Sequence, residues 1–521
     1  MPSRCGPPAS PGPDGQTPSA LLPILDPAPL PPGPSLIGID APVEPADPLS
    51  IEELGLEELF DDAADRAAGC DIAAWYRALP VEDAVTAARL AIAKRLLEDA
   101  GARQALTRAT DATAEARALV PRKGADRSED RRWLAALLSY GAALSHYAEG
   151  IAALPSPTSG ATSTRDAALR AIEARRARLG PTLRAAALLA QELDRVRSGL
   201  VLEGDLLIVK ATSAQPFLAD ELRRLLRPLL GDADQPPIRR SHELPRSGLA
   251  ALVVEEIARQ HPVLEELRAL RAESQGFLDP WVLGLERECR FFLAYLGAIE
   301  ARCKAPRRIS IPTFCPAGTP QSITDGWEVG LARTRSDLAC SSLSCEPARS
   351  LVVLTGPNGA GKTTFARMVG QVAYLGALGL PVPAAGATLA RPRRVDAIFS
   401  RPESLTDQGR LGQELDRLID LLGRPGPRVL VANEVFASTT THDALALAAS
   451  LLARLEREGA LAVVVTFLDE LADHEGTTSL VATGPPRFDI VEGPPSAASS
   501  ALALAAQYRL RAADISARIH P

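Results

Sequence analysis

A chain of 521 residues is too long for one ordinary core, and roughly 150 residues per domain predicts two to four units. Hydrophobic residues make up 46%, charged residues 23% and aromatic residues only 4%, a globular composition that favours Ala/Leu-built helices and argues against a β-sandwich. The formal net charge of −7 argues against a chain coated uniformly for nucleic acid, while leaving room for a local Arg-rich face that tracks a phosphate backbone.

Residues 1–47 are crowded with Pro, Gly and Ser (GPPASPGPDG, then PAPLPPGPS), which removes backbone donors and predicts a disordered leader. From Pro48 to about Cys303, stretches such as AVTAARLAIAKRLLEDA and AALRAIEARRARLGPTLRAAALLAQELDRVRSGL carry apolar residues at helical spacing. They predict long helices packed on one another. The polar run PSPTSGATST, Pro155 to Thr164, separates two of them. In GLVLEGDLLIVKA, two short apolar runs flank Glu203-Gly204-Asp205, where glycine supplies the positive φ of a tight β-hairpin. The segment FLDPWVLGLERECRFFLAYL, Phe277 to Leu296, reads as a helix begun by Pro280 with Asp279 as its N-cap. Its Phe291, Phe292 and Tyr295 are expected in the core.

After about Ala305 strand and helix alternate: LVVLT, a helix from Lys362, VDAIFS, a helix from about Leu411, VLVAN, a helix from Asp443, then LAVVVTF. This predicts a mostly parallel sheet covered by helices, with strands that are apolar throughout because both faces are buried. The domains expected are the leader 1–47, an all-α domain 48–305 with its small hairpin, and an α/β domain 306–521. The seven cysteines are scattered without paired CxxC spacing, which argues against a zinc site. No apolar run reaches the roughly 18 residues that span a bilayer, and the start lacks the apolar stretch of a secretory signal. The expectation is a cytoplasmic protein with reduced thiols and no membrane association.

Gly356-Pro357-Asn358-Gly359-Ala360-Gly361-Lys362-Thr363 fits G-x-x-x-x-G-K-[ST] between an apolar strand and an amphipathic helix. The glycines let backbone N–H groups close around phosphates, the helix N-terminus adds its dipole, Lys362 reaches the terminal phosphates and the Thr363 hydroxyl ligates Mg²⁺. With Thr364, this loop predicts an ATP·Mg²⁺ site. A carboxylate at the end of another buried strand should orient the attacking water. VLVANE supplies that strand: Glu434 is the candidate catalytic residue, and Asn433 takes the position where an Asp would serve the metal. The blander alternative makes Glu434 a solvated residue at a strand end.

TGPNGAGKTT, then NEVFASTTTHDALALA about 70 residues on, then VVVTFLDEL together resemble the DNA mismatch-repair MutS family of ATPases. The family's segments read TGPN-x-x-GK-[ST]-T, DE-x-x-x-GT-[ST]-x-DG-x-x-LA and ATH-x-x-EL. Thr439, Thr441, Asp443, Leu445 and Ala446 match the second, and Thr466, Glu470 and Leu471 the third. The tail GPPSAASSALALAAQYRL resembles the family's helix after the last strand, and the helical region with its hairpin looks like the lever of stand-alone MutS-related proteins. The resemblance implies an ABC-type P-loop fold behind a helical core and lever, a homodimer through the ATPase domains, and contacts to the backbone of duplex or branched DNA. Nothing resembles the family's amino-terminal mismatch reader. Asn433 stands for the family's Asp and Phe467 for the His that senses the γ-phosphate, while Gly409 to Glu414 lacks the Ser of the trans-acting signature. Slow hydrolysis or a nucleotide-gated switch is therefore expected.

Phosphate contacts need exposed cations. Arg223, Arg224 and Arg227 on one helix, with Arg239, Arg240 and Arg246 beyond it, are the candidates. Two functions remain open at this point: a DNA-associated ATPase of MutS type, and a scaffold with a vestigial nucleotide site that recruits a protein partner.

Overall fold

The computed structural model describes residues 33–38, 41–67, 69–120, 128–155, 164–196, 198–203, 206–211, 256, 261–400, 409–485, 487–495 and 508–519. Among these, one compact unit comprises Glu115–Gly141 and Glu173–Phe277, and the other Pro32–Ala114, Ala142–Ile172 and Leu278–Pro521. The division cuts across the sequence boundary at 305/306. No described helix is long and apolar enough to cross a membrane.

The chain begins with β1 (Val43–Pro45), α1 (Pro48–Glu53), α2 (Glu57–Arg66), a 3₁₀ turn (Ala73–Arg77) and β2 (Ala78–Pro80). The long helices follow: α3 (Asp83–Glu98), α4 (Ala100–Leu119), α5 (Ser128–Ala153) and α6 (Thr164–Leu193). Then come the hairpin strands β3 (Ser198–Glu203) and β4 (Leu206–Ala211), and the helices α7 (Val263–Glu273) and α8 (Pro280–Glu300). In the smaller unit β3 pairs antiparallel with β4 from Ser198↔Ala211 to Glu203↔Leu206, as the two apolar runs predict. There α7 is tied to α5 by Arg271, which bonds Asp130 at 2.6 Å and Glu129 at 3.1 Å. The candidate arginines from Arg223 to Arg246 lie outside the described residues.

In the larger unit α8 starts as its sequence dictates: the Asp279 carboxylate accepts the Trp281 amide at 2.9 Å, ahead of Pro280 at the first helical position. Phe291, Phe292 and Tyr295 are buried. Phe291 stacks on Tyr76, centroids 4.9 Å apart.

The α/β part of this unit contains β5 (Thr313–Cys315), β6 (Gln321–Gly326), α9 (Leu331–Thr334), β7 (Ser341–Cys345), β8 (Leu351–Thr355), α10 (Lys362–Leu378), β9 (Gly386–Ala390) and β10 (Arg394–Phe399). It continues with α11 (Arg410–Gly423), β11 (Arg428–Asn433), α12 (Thr441–Arg457), β12 (Leu461–Val465), β13 (Thr477–Ala482), β14 (Ile490–Glu492) and α13 (Ala512–Ile519). Six strands form one sheet in the order β10-β11-β12-β8-β13-β14, parallel except for β14. All residues of β8, β11 and β12 are buried, so the run of valines and leucines is a response to helices on both faces. The carboxyl ends of β8 and β11 carry the glycine-rich loop Gly356 to Gly361 and Asn433-Glu434, where ligands sit in open parallel sheets.

Two features depart from the sequence reading. A second sheet, β5-β9-β6-β7, precedes and flanks the P-loop. Its strands are short and partly exposed, without the apolar runs that mark the main sheet. Part of the segment read as leader is also packed into the fold. Leu36 and Ile37 are buried, their amides donating to Glu288 Oε2 at 2.5 and 3.3 Å, and Arg89 Nε donates to the Ile37 carbonyl at 2.9 Å. These side chains supply the partners that a Pro-rich segment cannot find within itself. Beyond it, β1 pairs with β2, and α1 covers the edge strand β10: the Ala397 amide donates to Ser50 Oγ at 2.9 Å, and Arg417 bridges Glu53 at 2.5 Å. Covering the edge removes a row of unpaired backbone groups from solvent.

Candidate nucleotide site

The loop between β8 and α10 takes its shape from three glycines with positive φ: Gly356 (+129°), Gly359 (+76°) and Gly361 (+92°). At Gly356 an added Cβ would lie 2.6 Å from the Ala482 carbonyl oxygen, so a close backbone approach, as well as φ, demands glycine there. Gly361 is the N-cap of α10, and no side chain caps this helix. The free amides of the first turn thus face the loop, an arrangement suited to anions.

Lys362 opens the helix and folds back over the loop. Its Nζ donates to the carbonyls of Gly356 at 2.7 Å and Pro357 at 3.0 Å, and lies 4.8 Å from the centre of the Phe467 ring. Burial lowers the lysine pKa, and the nearby Glu434 carboxylate partly restores it. Next along the helix, the Thr363 hydroxyl donates to Asn433 Oδ1 at 3.0 Å. Two oxygens therefore stand side by side where a Mg²⁺ ion could be held, and both are hard donors suited to it. The pair is neutral, since Asn433 brings an amide in place of a carboxylate.

Glu434 follows with φ +54°, a left-handed conformation that costs a non-glycine residue about 1–3 kcal/mol. Its amide still donates to Val465 O at 2.9 Å, extending the ladder with β12. It lines a cleft of about 310 Å³ together with Gly359, Lys362 and Thr363. The structure thus brings together the P-loop, the strand-end acid and the asparagine, residues separated by some seventy positions in the chain. Phe467, beyond β12, is 43% exposed, and its ring meets the Lys362 ammonium.

Sequence reasoning missed the opposite wall of this cleft, which comes from the segment around Glu328 and Leu331 and from Phe488. Glu328 fixes that wall. Its carboxylate accepts the amides of Gly330 at 3.1 Å and Leu331 at 2.6 Å, and the side-chain amide of Gln371 on α10 at 2.5 Å. Neither segment carries a periodic signal, so no local pattern announced it.

Residues 352–487, which hold the P-loop, Asn433, Glu434 and Phe467, match the family described as MutS domain V. The chain carries a MutS domain V over this stretch. It is 38% identical over 135 residues to the DNA mismatch repair protein MutS of Granulibacter bethesdensis, covering 25% of this chain and 14% of that one. It is 31% identical over 143 residues to the endonuclease MutS2 of Pelotomaculum thermopropionicum, covering 27% and 18%. With the DNA mismatch repair protein MSH3 of Chaetomium globosum the match extends over 216 residues at 27% identity, 40% of this chain and 18% of that one. The matched part of this chain thus spans less than a fifth of these relatives' length.

Proposed function

We propose that this chain is a DNA-associated ATPase of MutS type that binds ATP with Mg²⁺, hydrolyses it slowly and couples nucleotide state to DNA binding or clamp movement. The observation that carries the reading is the Thr363–Asn433 hydrogen bond at 3.0 Å, with Glu434 lining the same cleft. Backbone amides of Gly356 to Thr364 would cradle the phosphates, and Lys362 would leave its two carbonyl partners for the terminal phosphate oxygens. Thr363 and Asn433 would hold Mg²⁺, which supplies charge neutralisation at the phosphate oxygens. Glu434 would orient the attacking water and take its proton. A neutral asparagine at the metal position and a phenylalanine that offers the γ-phosphate no donor both weaken stabilisation of the transferring phosphoryl group, so slow turnover is expected.

The names of the relatives bring DNA into the proposal; the homodimer joined through the ATPase domains comes from the motif resemblance, and the cytoplasmic placement from the sequence reading. The second reading, a scaffold whose vestigial nucleotide site serves recruitment of a protein partner, is favoured by the packing of Phe467 on Lys362. Steady-state ATP hydrolysis by wild type, Lys362→Ala and Glu434→Gln, with and without heteroduplex and branched DNA, separates the two. Wild type hydrolysing faster than both variants, with a response to DNA, supports the ATPase. Wild type no faster than Glu434→Gln and indifferent to DNA supports the scaffold.

A further inference from the structure

Past the end of β11 the backbone turns through two left-handed residues within three positions, Glu434 at φ +54° and Phe436 at φ +66°. Neither is glycine, and a bulky side chain adopts such a conformation only where its surroundings enforce it. Part of the enforcement is the β12 ladder, through the Glu434 amide. Another part comes from Glu414, near the start of α11 and 7% exposed. Its Oε2 accepts the Phe436 amide at 2.9 Å. Its Oε1 accepts Ser400 Oγ at 3.1 Å and Arg410 Nε at 3.3 Å. Ser400, just past β10, donates its own amide to the Asn433 carbonyl at 3.0 Å. One carboxylate therefore grips the chain before Glu434, through Ser400, and after it, at Phe436.

Among the described residues, Glu414 also forms an i,i+4 ion pair with Arg410, but that pair uses Oε1 and leaves Oε2 to the Phe436 amide. Phe436 is buried in an apolar cluster with Leu418 and Leu421 of α11, one and two turns beyond Glu414. A buried carboxylate is costly unless its oxygens find donors, and here they find three. Glu414 does not line the cleft.

We infer that Glu414 is the positioning residue of this site, bracketing Asn433 to Phe436 so that Glu434 points into the cleft. This rests on the reading of Glu434 as the water-orienting carboxylate, but the bracket can be tested without it. Hydrogen–deuterium exchange at the Phe436 amide is compared in the full chain for wild type, Glu414→Ala and Glu414→Gln, alongside kcat and the affinity for a fluorescent ATP analogue. In Glu414→Ala the amide exchanges roughly tenfold faster or more and kcat falls by a similar factor, while nucleotide affinity stays within about threefold. Glu414→Gln keeps one oxygen for the Phe436 amide and recovers most of the protection and of kcat. Unchanged protection in the alanine variant overturns the proposal, and so does a glutamine variant as impaired as alanine. If wild type hydrolyses no faster than Glu434→Gln, it is the hydrolytic reading that fails, and the exchange comparison still decides the bracket.

Discussion

The Thr363 hydroxyl donates to Asn433 Oδ1 across 3.0 Å, joining the first turn of α10 to the end of β11. In this orientation the asparagine turns its carbonyl oxygen toward Thr363. An aspartate in this place would keep the acceptor and add a negative charge beside it.

Asn433→Asp is therefore expected to raise single-turnover ATP hydrolysis by roughly tenfold or more in Mg²⁺ and to make hydrolysis steeper in Mg²⁺ concentration. In EDTA the same variant should bind nucleotide more weakly than wild type, since the new charge faces the phosphates without a cation between them. A Mg²⁺ titration of the rate and a nucleotide titration in EDTA measure the two effects. Identical behaviour in both would place Asn433 away from the metal position.

Phe467 bears on Lys362 in a different way. With two carbonyls and a ring face around it, the ammonium is well satisfied before any nucleotide arrives. A half-exposed cation–π contact contributes about 0.5–1 kcal/mol, and nucleotide must displace it. Phe467→Leu keeps an apolar side chain but loses the ring's negative face, so ATP affinity should rise about two- to fivefold. Isothermal titration with ATP checks the sign, and weaker binding by the leucine variant would mean that the ring contacts the nucleotide side of the lysine.

The shape of the loop Gly356 to Thr363 was legible in eight consecutive residues because it is local: glycines for positive φ and close backbone approach, then Lys362 and Thr363 at the head of a helix. The parallel strands were legible for a similar reason, since burial on both faces leaves runs such as Val429 to Ala432 without a polar residue. Asp279 before Pro280 announced its helix through a cap two residues long. What stayed hidden is made by long-range pairing. Ser50 caps the edge at Ala397 from 347 positions away. Glu414 looks like any acid in an amphipathic helix until Phe436 and Ser400 are folded against it. The sheet formed by β5, β9, β6 and β7 assembles strands from either side of α10, so no window of sequence contains it.

The two glycines that both read as P-loop requirements should respond differently to alanine. At Gly356 the added methyl meets the Ala482 carbonyl at 2.6 Å, and backbone must move. At Gly359 nothing lies within 4 Å, and only the φ of +76° opposes the substitution. Gly359→Ala is expected to cost about 1 kcal/mol, whereas Gly356→Ala should cost about 2–4 kcal/mol and abolish nucleotide binding by displacing the loop. Thermal melts and nucleotide titrations of the pair give the comparison. Equal losses would show that φ alone, and not the approach to Ala482, fixes the first glycine.

A last prediction concerns the sheet that carries the site. Asp396, on β10, is buried with Arg394 at 3.2 Å and Arg428 at 3.7 Å. Burial raises its pKa, and the two arginines pull it back only in part. A folded pKa above the unfolded one means that the native state holds this proton more tightly. The stability it contributes is present in acid and is lost as pH rises through the folded value. Asp396→Asn removes the titration. It also turns a side-chain NH2 donor toward the two buried guanidinium groups, which neither form of the carboxyl does, so the variant should be less stable throughout. The informative quantity is the gap between wild type and variant, because every other carboxylate is common to both. That gap should widen as pH is lowered from about 7 to about 4, because the raised carboxyl takes up its proton in the native state before it does so in the unfolded chain. Melting temperatures of the two proteins across that range decide the matter. A gap that narrows on acidification would show that Arg394 and Arg428 outweigh burial and hold Asp396 ionised.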